Sequence, residues 1–407
     1  MPTKKTVLTL LFALIILLEA WVSGIFLLYF ASLSIIITLL LSYLFLLFLL
    51  FNLQISRKIA ETASEGDTIA IEIKIYKKIN LFDHHIEIRD NLPLSLPLKQ
   101  TKMLSVLNFQ TKIYTFSYQA ICSRRGVYSL GPVNVKFFDP LSFFFVQKKY
   151  QVYSKLIVYP QIFYIKRLSQ TLGNFAPRFG SQTTRISGNY EEFYGIREYQ
   201  KEDGWRKIHW RSSARLLRLM VKHFEISSQW RTMLFLDTNA DKMLVGKGTN
   251  NAFEYAVRIA ASLFKYLMFK KAFFGLISAN KNLSDQYINR GEKHFSKIIN
   301  ELTTVEADSD QSIYSCLNEK QHLIPDTSSV IIITCDLSKH LIGILQSLKL
   351  HRNIAAIPII LNADSFCTPA KNIDNTTGIK NAFNKLSCHP YIINYQDNLC
   401  AHFMKER

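Results

Sequence analysis

The densest chemistry in this 407-residue chain lies between positions 190 and 225. From Trp205 to Lys222 there are six basic residues, Arg206, Lys207, Arg211, Arg215, Arg218 and Lys222, and no acid. Guanidinium and ammonium groups recognise anions, which leaves three roles open. Arg197, Arg206 and Arg211 can pair with Glu192, Glu198 and Asp203 and latch neighbouring domains together. The same charges can face anionic lipid. Nucleic-acid reading comes last, because no recognition motif accompanies the charge. Arg211, Arg215, Arg218 and Lys222 form one stripe on a helix. Alternation from Leu217 onward argues instead for a strand, with Arg218 and Lys222 sharing a face with Met220 and Phe224. Trp205 and Trp210 are large aromatics expected to pack.

Asp237 follows a short apolar run at 232–236, and Asp336 follows another at 330–334. Carboxylates at strand ends lie where open α/β sheets bind ligands, and hard cations take such oxygens. Other reactive groups are sparse. There is no Gly-x-Ser-x-Gly, His-Glu-x-x-His or Walker loop, so the common hydrolase and nucleotide signatures are missing. The six cysteines (Cys122, Cys316, Cys335, Cys367, Cys388 and Cys400) show neither a C-x-x-C pair nor zinc spacing. They read as small apolar residues in a reducing compartment. His84 and His85 are neighbours, which on a strand point to opposite faces and suit no metal.

The elements that position these groups differ along the chain. Between Thr6 and Phe51 the one ionisable charge is Glu19, and the rest is rich in Leu, Ile and Phe. A span needs about 20 apolar residues, so this length fits two helices with a turn near positions 24–32. Lys4 and Lys5 precede the first span, and Arg57 and Lys58 follow the second. The positive-inside rule then places both flanks in the cytoplasm, on a two-pass protein of the inner or plasma membrane. A cleaved signal peptide would leave the second apolar stretch unexplained. Residues 57–167 alternate with period two, as at Ile69, Ile71, Ile73 and Ile75, with turn signals at Arg125-Gly126 and Gly131-Pro132. That pattern predicts a small β-sandwich. Residues 168–229 comprise a polar connector and the basic motif. From position 230 to 407, apolar runs at 232–236, 273–277, 330–334, 354–361 and 391–394 alternate with helical periods, as over 251–270. Such alternation predicts an α/β domain with a mostly parallel sheet covered on both faces. Lys and Arg outnumber Asp and Glu by 49 to 31, a net charge of +18. An excess of that size points to an anionic partner and says nothing about fold.

One stretch carries a family resemblance. Gly195-Ile-Arg197-Glu198-Tyr199, then Asp203-Gly-Trp-Arg206-Lys-Ile-His209-Trp210-Arg211-Ser-Ser-Ala214-Arg215, then Val221-Lys-His-Phe-Glu225, resembles the core motif of the bacterial domain of unknown function 58 family. Arg124-Arg-Gly-Val-Tyr-Ser-Leu-Gly-Pro132 and Asp139-Pro-Leu141 are similar to what precedes that motif in the family. Where the family usually carries Pro-Gly-Asp, this chain has Lys201-Glu202-Asp203.

The resemblance implies a Rossmann-type, von Willebrand factor A-like C-terminal domain and a protein partner, a MoxR-type AAA+ ATPase. The expected role is a non-enzymatic, membrane-anchored interaction or assembly factor, with a metal-assisted hydrolase at the membrane surface as the alternative. Asp237-Thr-Asn239-Ala-Asp241 sits where a von Willebrand A domain carries Asp-x-Ser-x-Ser. Asn239 and Asp241 remain oxygen donors, Asp336 adds a carboxylate, and Thr303 or Thr304 a hydroxyl. The reading calls for no cofactor, with Mg²⁺ the cation if this degenerate metal-ion-dependent adhesion-type site is loaded.

Overall fold

The computed structural model describes residues 2–78, 84–93, 99–107, 112–166, 191–200, 205, 208–226, 231–246, 248, 251–280, 285–326, 328–336, 338–352, 354–367 and 390–403. The connector expected at 168–190, Asp203, Arg206, Lys207 and Cys388 lie outside them. By their contacts the described residues form two units. One is built on Met1–Gln161 with Ile299–Val305, and the other on Ile162–Gly246, Asn251–Ile298 and Glu306–Arg407.

The first unit opens with helices α1 (Lys4–Ser23) and α2 (Phe26–Asn52). Gly24 ends α1 at φ 67, in the left-handed region that glycine tolerates, and its N–H bonds the Ala20 carbonyl. The turn is therefore tighter than the expected 24–32. The run Phe-Leu-Leu-Tyr-Phe-Ala from position 26 holds no breaker and stays helical. Ala13, Ala20 and Ser32 are buried, and the Ser32 hydroxyl donates to the Ala13 carbonyl at 3.1 Å. Small residues and a hydroxyl between helices are the usual means of close packing in lipid. Both helices are long and apolar enough to cross a bilayer, and only 17% and 22% of their apolar windows are buried. Core helices of a soluble fold would be mostly covered.

Helix α2 passes into strand β1 (Leu53–Lys58) with no linker, so the β region begins four residues before the expected start at 57. Around it lie β2 (Thr62–Ser64), β3 (Thr68–Lys77), β4 (His84–Leu92), β5 (Lys99–Leu107), β6 (Ile113–Ile121), β7 (Gly126–Leu130), β8 (Val133–Phe138), β9 (Phe145–Tyr150) and β10 (Ser154–Tyr159). They form three sheets, in the orders β1-β3-β6, β2-β10-β7 and β5-β4-β8-β9. The isoleucine alternation of β3 explains the layers. Ile73 and Ile75 pack with Ile86, Ile88, Val133, Val135 and Phe137 of the four-stranded sheet. Ile69 and Ile71 pack with Leu130, Leu156 and Val158 of the other.

This β region and the hairpin share a core, because Leu46 of α2 is buried among the same residues as Ile73 and Phe137. The β8–β9 turn completes the join. Thr3 N–H donates to the Phe143 carbonyl at 2.9 Å, and the Thr6 hydroxyl donates to the same oxygen. The Ser42 hydroxyl donates to Asp139, which is fully buried and also accepts the Phe144 N–H at 2.7 Å. The Arg57 guanidinium, a flank charge in the sequence pattern, is instead buried and paired with Asp90. Lys58 alone remains as the exposed basic flank at that end.

In the second unit, six strands form one sheet in the order β15-β14-β13-β16-β17-β18. These are β13 (Arg231–Leu236), β14 (Phe273–Ser278), β15 (Gln286–Asn289), β16 (Ser329–Thr334), β17 (Ala355–Leu361) and β18 (Tyr391–Ile393). All neighbours run parallel except β14 and β15. The four-residue β15 was not foreseen, since so short a run carries little periodicity. Ile313, Cys316 and Leu317 of α7 (Ile313–Lys320) and Leu341, Leu345 and Leu348 of α8 (Lys339–Arg352) cover one face. The other face, through Phe274, receives Phe264 of α5 (Ala252–Phe269), ring centroids 5.5 Å apart. The chain starts in β13, moves outward to β14 and β15, then returns to β16 on the far side of β13. The topological switch point therefore lies between β13 and β16.

Candidate functional site

The basic motif folds as a strand pair with a short helix between. Strand β11 (Glu191–Glu198) runs antiparallel to β12 (Met220–Ile226), and α3 (Trp210–Leu216) lies between them in sequence. His209 caps α3, with Nδ1 2.8 Å from the Ser212 hydroxyl and 3.3 Å from the Ser212 N–H it accepts. The Ser213 hydroxyl, buried, accepts the Met220 N–H at 2.9 Å and donates to the His209 carbonyl at 3.1 Å. These serines fasten the motif, and neither stood out beside the charged residues. Tyr199 joins through its backbone, donating to Leu219 at 2.9 Å.

The four-residue basic stripe does not form. Leu217, at φ 55, ends the helix after Arg211 and Arg215, and the strand begins at Met220 rather than Leu217. Ala214 lies on the exposed side of α3. Glu198 pairs with Arg218, and both side chains are about 60% exposed, so the bridge contributes little. Arg197 donates to the Glu198 carbonyl at 3.1 Å. Trp205 and Trp210 were expected to pack, yet they are 71% and 63% exposed, and Leu217 is 93% exposed. The reason is local. Helix α3 has seven residues and buries only Ser213, so it offers no apolar face to an indole. Trp205 has Tyr199 as a ring neighbour, centroids 6.4 Å apart.

The second candidate lies at the switch point. Asp237, 1% exposed at the end of β13, accepts the Thr334 hydroxyl at 2.5 Å on Oδ2 and the Asn239 N–H at 3.0 Å on Oδ1. Thr334, the last residue of β16, also accepts the Asp336 N–H at 2.8 Å. Asn239 caps α4 (Ala240–Met243) by accepting the Lys242 N–H at 3.0 Å. The Lys242 ammonium donates to Asp336 Oδ1 at 3.0 Å. Thr334 thus couples the two aspartates, and Lys242 supplies the positive charge beside Asp336.

The oxygens expected to hold a divalent cation already serve contacts within the protein. Each named oxygen of Asp237 and Asn239 is engaged by protein, and Asp241 sits exposed in the first turn of α4. The Thr303 and Thr304 hydroxyls donate to the Ile299 and Glu301 carbonyls of their own helix, α6 (Glu292–Thr304). Among the described residues, no three His, Cys, Asp or Glu groups gather as a metal-holding cluster. Nor are the two buried thiols nearby poised for attack. Burial pushes Cys335 up to about 12, with Asp237 adding to the rise, and Cys316 up to about 11. Thiols held there stay protonated near neutrality.

Burial raises the Asp237 pKa above the ordinary aspartate value, while the Thr334 hydroxyl opposes the shift. With the folded pKa above the unfolded one, ionising Asp237 costs stability. That cost is absent below the unfolded pKa and complete above the folded one. Thr334→Val removes the opposing donor and raises the pKa further. It is expected to destabilise by about 1–3 kcal/mol, with the deficit widening as the pH rises from the ordinary aspartate range, about 4, toward neutrality. Thermal melts across that range read the slope, and a flat difference would disprove the coupling.

Comparisons with known proteins meet this geometry at the motif and the sheet. Residues 195–367 match the family described as "Protein of unknown function DUF58". The chain is 26% identical over 266 residues to "Uncharacterized protein YeaD" of Bacillus subtilis (strain 168), covering 63% of this chain and 64% of that protein. It thus spans less than two thirds of that relative. Among solved structures, the CARDB domain of a Pyrococcus furiosus protein in complex with di-metal ions is 12% identical. The overlap covers 26% of this chain and 87% of that one, at a TM-score of 0.19. β-Glucuronidase 2 of Bacteroides uniformis is 9% identical over 82% of this chain and 31% of its own, at 0.18. Neither score reaches the level of a shared fold.

Proposed function

We propose that this chain, with its DUF58 family domain over residues 195–367, is a membrane-anchored docking protein whose soluble part receives a MoxR-type AAA+ ATPase. One observation carries the reading: Trp205 and Trp210, the costliest side chains to leave in water, are exposed within a motif rich in arginine. Tryptophan and arginine dominate the energetic centres of protein interfaces. A motif that only latched its own domains together would bury its indoles.

The rest of the molecule agrees with that role. The apolar hairpin serves as the anchor, with Lys4, Lys5 and Lys58 marking its cytoplasmic flank. Because Leu46, Asp139 and the 142–143 carbonyls lock hairpin and β region together, the β region works as a fixed base rather than a loose tether. The α/β domain, read as von Willebrand factor A-like, keeps its strand-end aspartates engaged by Thr334 and Lys242. Recognition through it then proceeds without a bound cation.

The test is affinity purification of the tagged full chain in mild detergent, with and without ATP, read by mass spectrometry. Recovery of one AAA+ ATPase in a nucleotide-dependent manner is the expected result. Failure to recover any ATPase from membranes that contain the tagged chain would overturn the partnership.

A further inference from the structure

We propose that the tip of the β8–β9 turn, Pro140 and Leu141, inserts into the boundary between headgroups and acyl chains of the bilayer that the hairpin spans. The turn closes through the Ser142 N–H, which donates to the Asp139 carbonyl at 2.9 Å. Pro140 then stands at the first central position, where its fixed φ is favoured, and Leu141 at the second. Polar residues and glycine dominate such tips, yet Leu141 is 56% exposed. Ser142 beside it holds φ 59, in the left-handed region that is costly for a residue with a Cβ. The Thr3 hydroxyl secures that residue by donating to the Ser142 carbonyl at 3.2 Å. A strained turn, pinned from outside, thus presents a leucine where polar side chains are usual.

Position identifies what covers the leucine. Helix α1 has 20 residues, which at 1.5 Å each is about 30 Å, the thickness of a hydrocarbon core. Its N-terminal end therefore stands at the boundary of that core. Thr3 and Thr6 at this end both bond the Phe143 carbonyl, and Pro2 pairs with Phe144. Helix α2 gives the same depth independently. Its Ser32 bonds Ala13 of α1, and equal steps from that contact bring Leu41 level with Lys4. The next residue, Ser42, donates to Asp139 at the start of the turn. Past that level the strands leave the bilayer. Tyr43 meets Phe144, ring centroids 5.5 Å apart, whereas Tyr150 at the end of β9 lines a groove with Leu53. From Tyr43 to Leu53 the helix carries the chain about 15 Å farther out. The turn is thus the end of β8 and β9 nearest the acyl chains.

The chemistry around the tip fits a bilayer interface. Between positions 133 and 150 the one acid is Asp139, which is fully buried, while Lys4 and Lys5 are exposed at the same level. Phe138 and Phe145 flank the turn, and the Lys136 ammonium lies 5.2 Å and 4.0 Å from their ring centroids. Aromatic rings beneath a lysine whose charge reaches the polar layer suit the headgroup region. With Leu141 seated, the β region grips the bilayer at a second point beside the hairpin.

The proposal rests on the hairpin being a membrane anchor, and the experiment separates the two. The full chain is reconstituted in vesicles of equal phosphatidylglycerol and phosphatidylcholine. It carries the photoreactive residue p-benzoylphenylalanine in place of Phe12, Leu141 or Tyr153. Phe12 lies within α1, and Tyr153 follows Val152, whose carbonyl Arg57 of β1 reaches. All three side chains are exposed, so the replacements leave the core untouched. After illumination, phospholipid adducts are counted by mass spectrometry. Positions 12 and 141 are expected to form them, and position 153 about tenfold fewer than 141. No adduct at position 12 would refute the anchor and the inserted tip with it. Adducts at 12 with no excess at 141 over 153 would overturn the insertion and leave the anchor standing. A protein adduct in place of lipid at 141 would assign the tip to a second copy or another chain, and overturn the insertion likewise.

Discussion

Asp90→Asn is expected to cost about 3–5 kcal/mol of folding stability, a fifth or more of what holds an ordinary domain together. The loss comes from what the substitution leaves behind. Asp90 and Arg57 have no exposed side-chain surface, so the guanidinium stays in the interior without a counter-charge. Its other contacts are thin: Nη1 reaches the Val152 carbonyl at 3.3 Å, and Nε has no partner. Tyr118 donates to the same carboxylate at 2.6 Å, and burial together with that carboxylate holds its hydroxyl protonated far above neutrality.

The three side chains come from β1, β4 and β6, so the cluster ties the two facing sheets near the far end of the strand that follows α2. Replacing both charges, Arg57→Met with Asp90→Leu, removes the desolvation cost along with the attraction. It should return stability to within about 2 kcal/mol of wild type or above it. Melts of the full chain in detergent decide the matter. A single variant that melts like wild type would show the pair to be dispensable.

The second large effect concerns binding rather than folding. Trp205→Ala with Trp210→Ala is expected to weaken recovery of the ATPase partner by about 100-fold or more, since one interface tryptophan is commonly worth about 2 kcal/mol or more. The same double variant should melt within about 0.5 kcal/mol of wild type, because neither indole is buried. Ser213→Val makes the contrasting control. It breaks the buried hydroxyl contacts to Met220 and His209, so any loss of partner there comes with a loss of stability. Partner recovery that survives loss of both indoles would move the docking surface elsewhere on the soluble part.

Much of this architecture was legible from residue pattern, for reasons that are local. Forty-six residues with a single charge imply two apolar helices whatever follows. Ile69, Ile71, Ile73 and Ile75 fall on one face of a strand by geometry alone, and continuous apolar runs between helical periods imply a covered parallel sheet. Each conclusion needs only a period and a hydropathy. The motif residues were also identifiable, because six bases without an acid stand out in any segment.

What pattern could not supply is which distant groups meet. Arg57 reads as a flank charge until β4 brings Asp90 to it across 33 positions. Asp237 and Asp336 read as free oxygen donors until β13 and β16 become neighbours and place Thr334 between them, with Lys242 alongside. The indoles read as core residues because size favours burial. Their exposure follows from a helix too short to cover them, and Leu217 ends that helix in a left-handed conformation no propensity scale anticipates. Secondary structure and layering follow from interactions a few residues apart. Charge pairing and exposure depend on contacts between residues far apart in the chain, and those exist only once the sheets have packed.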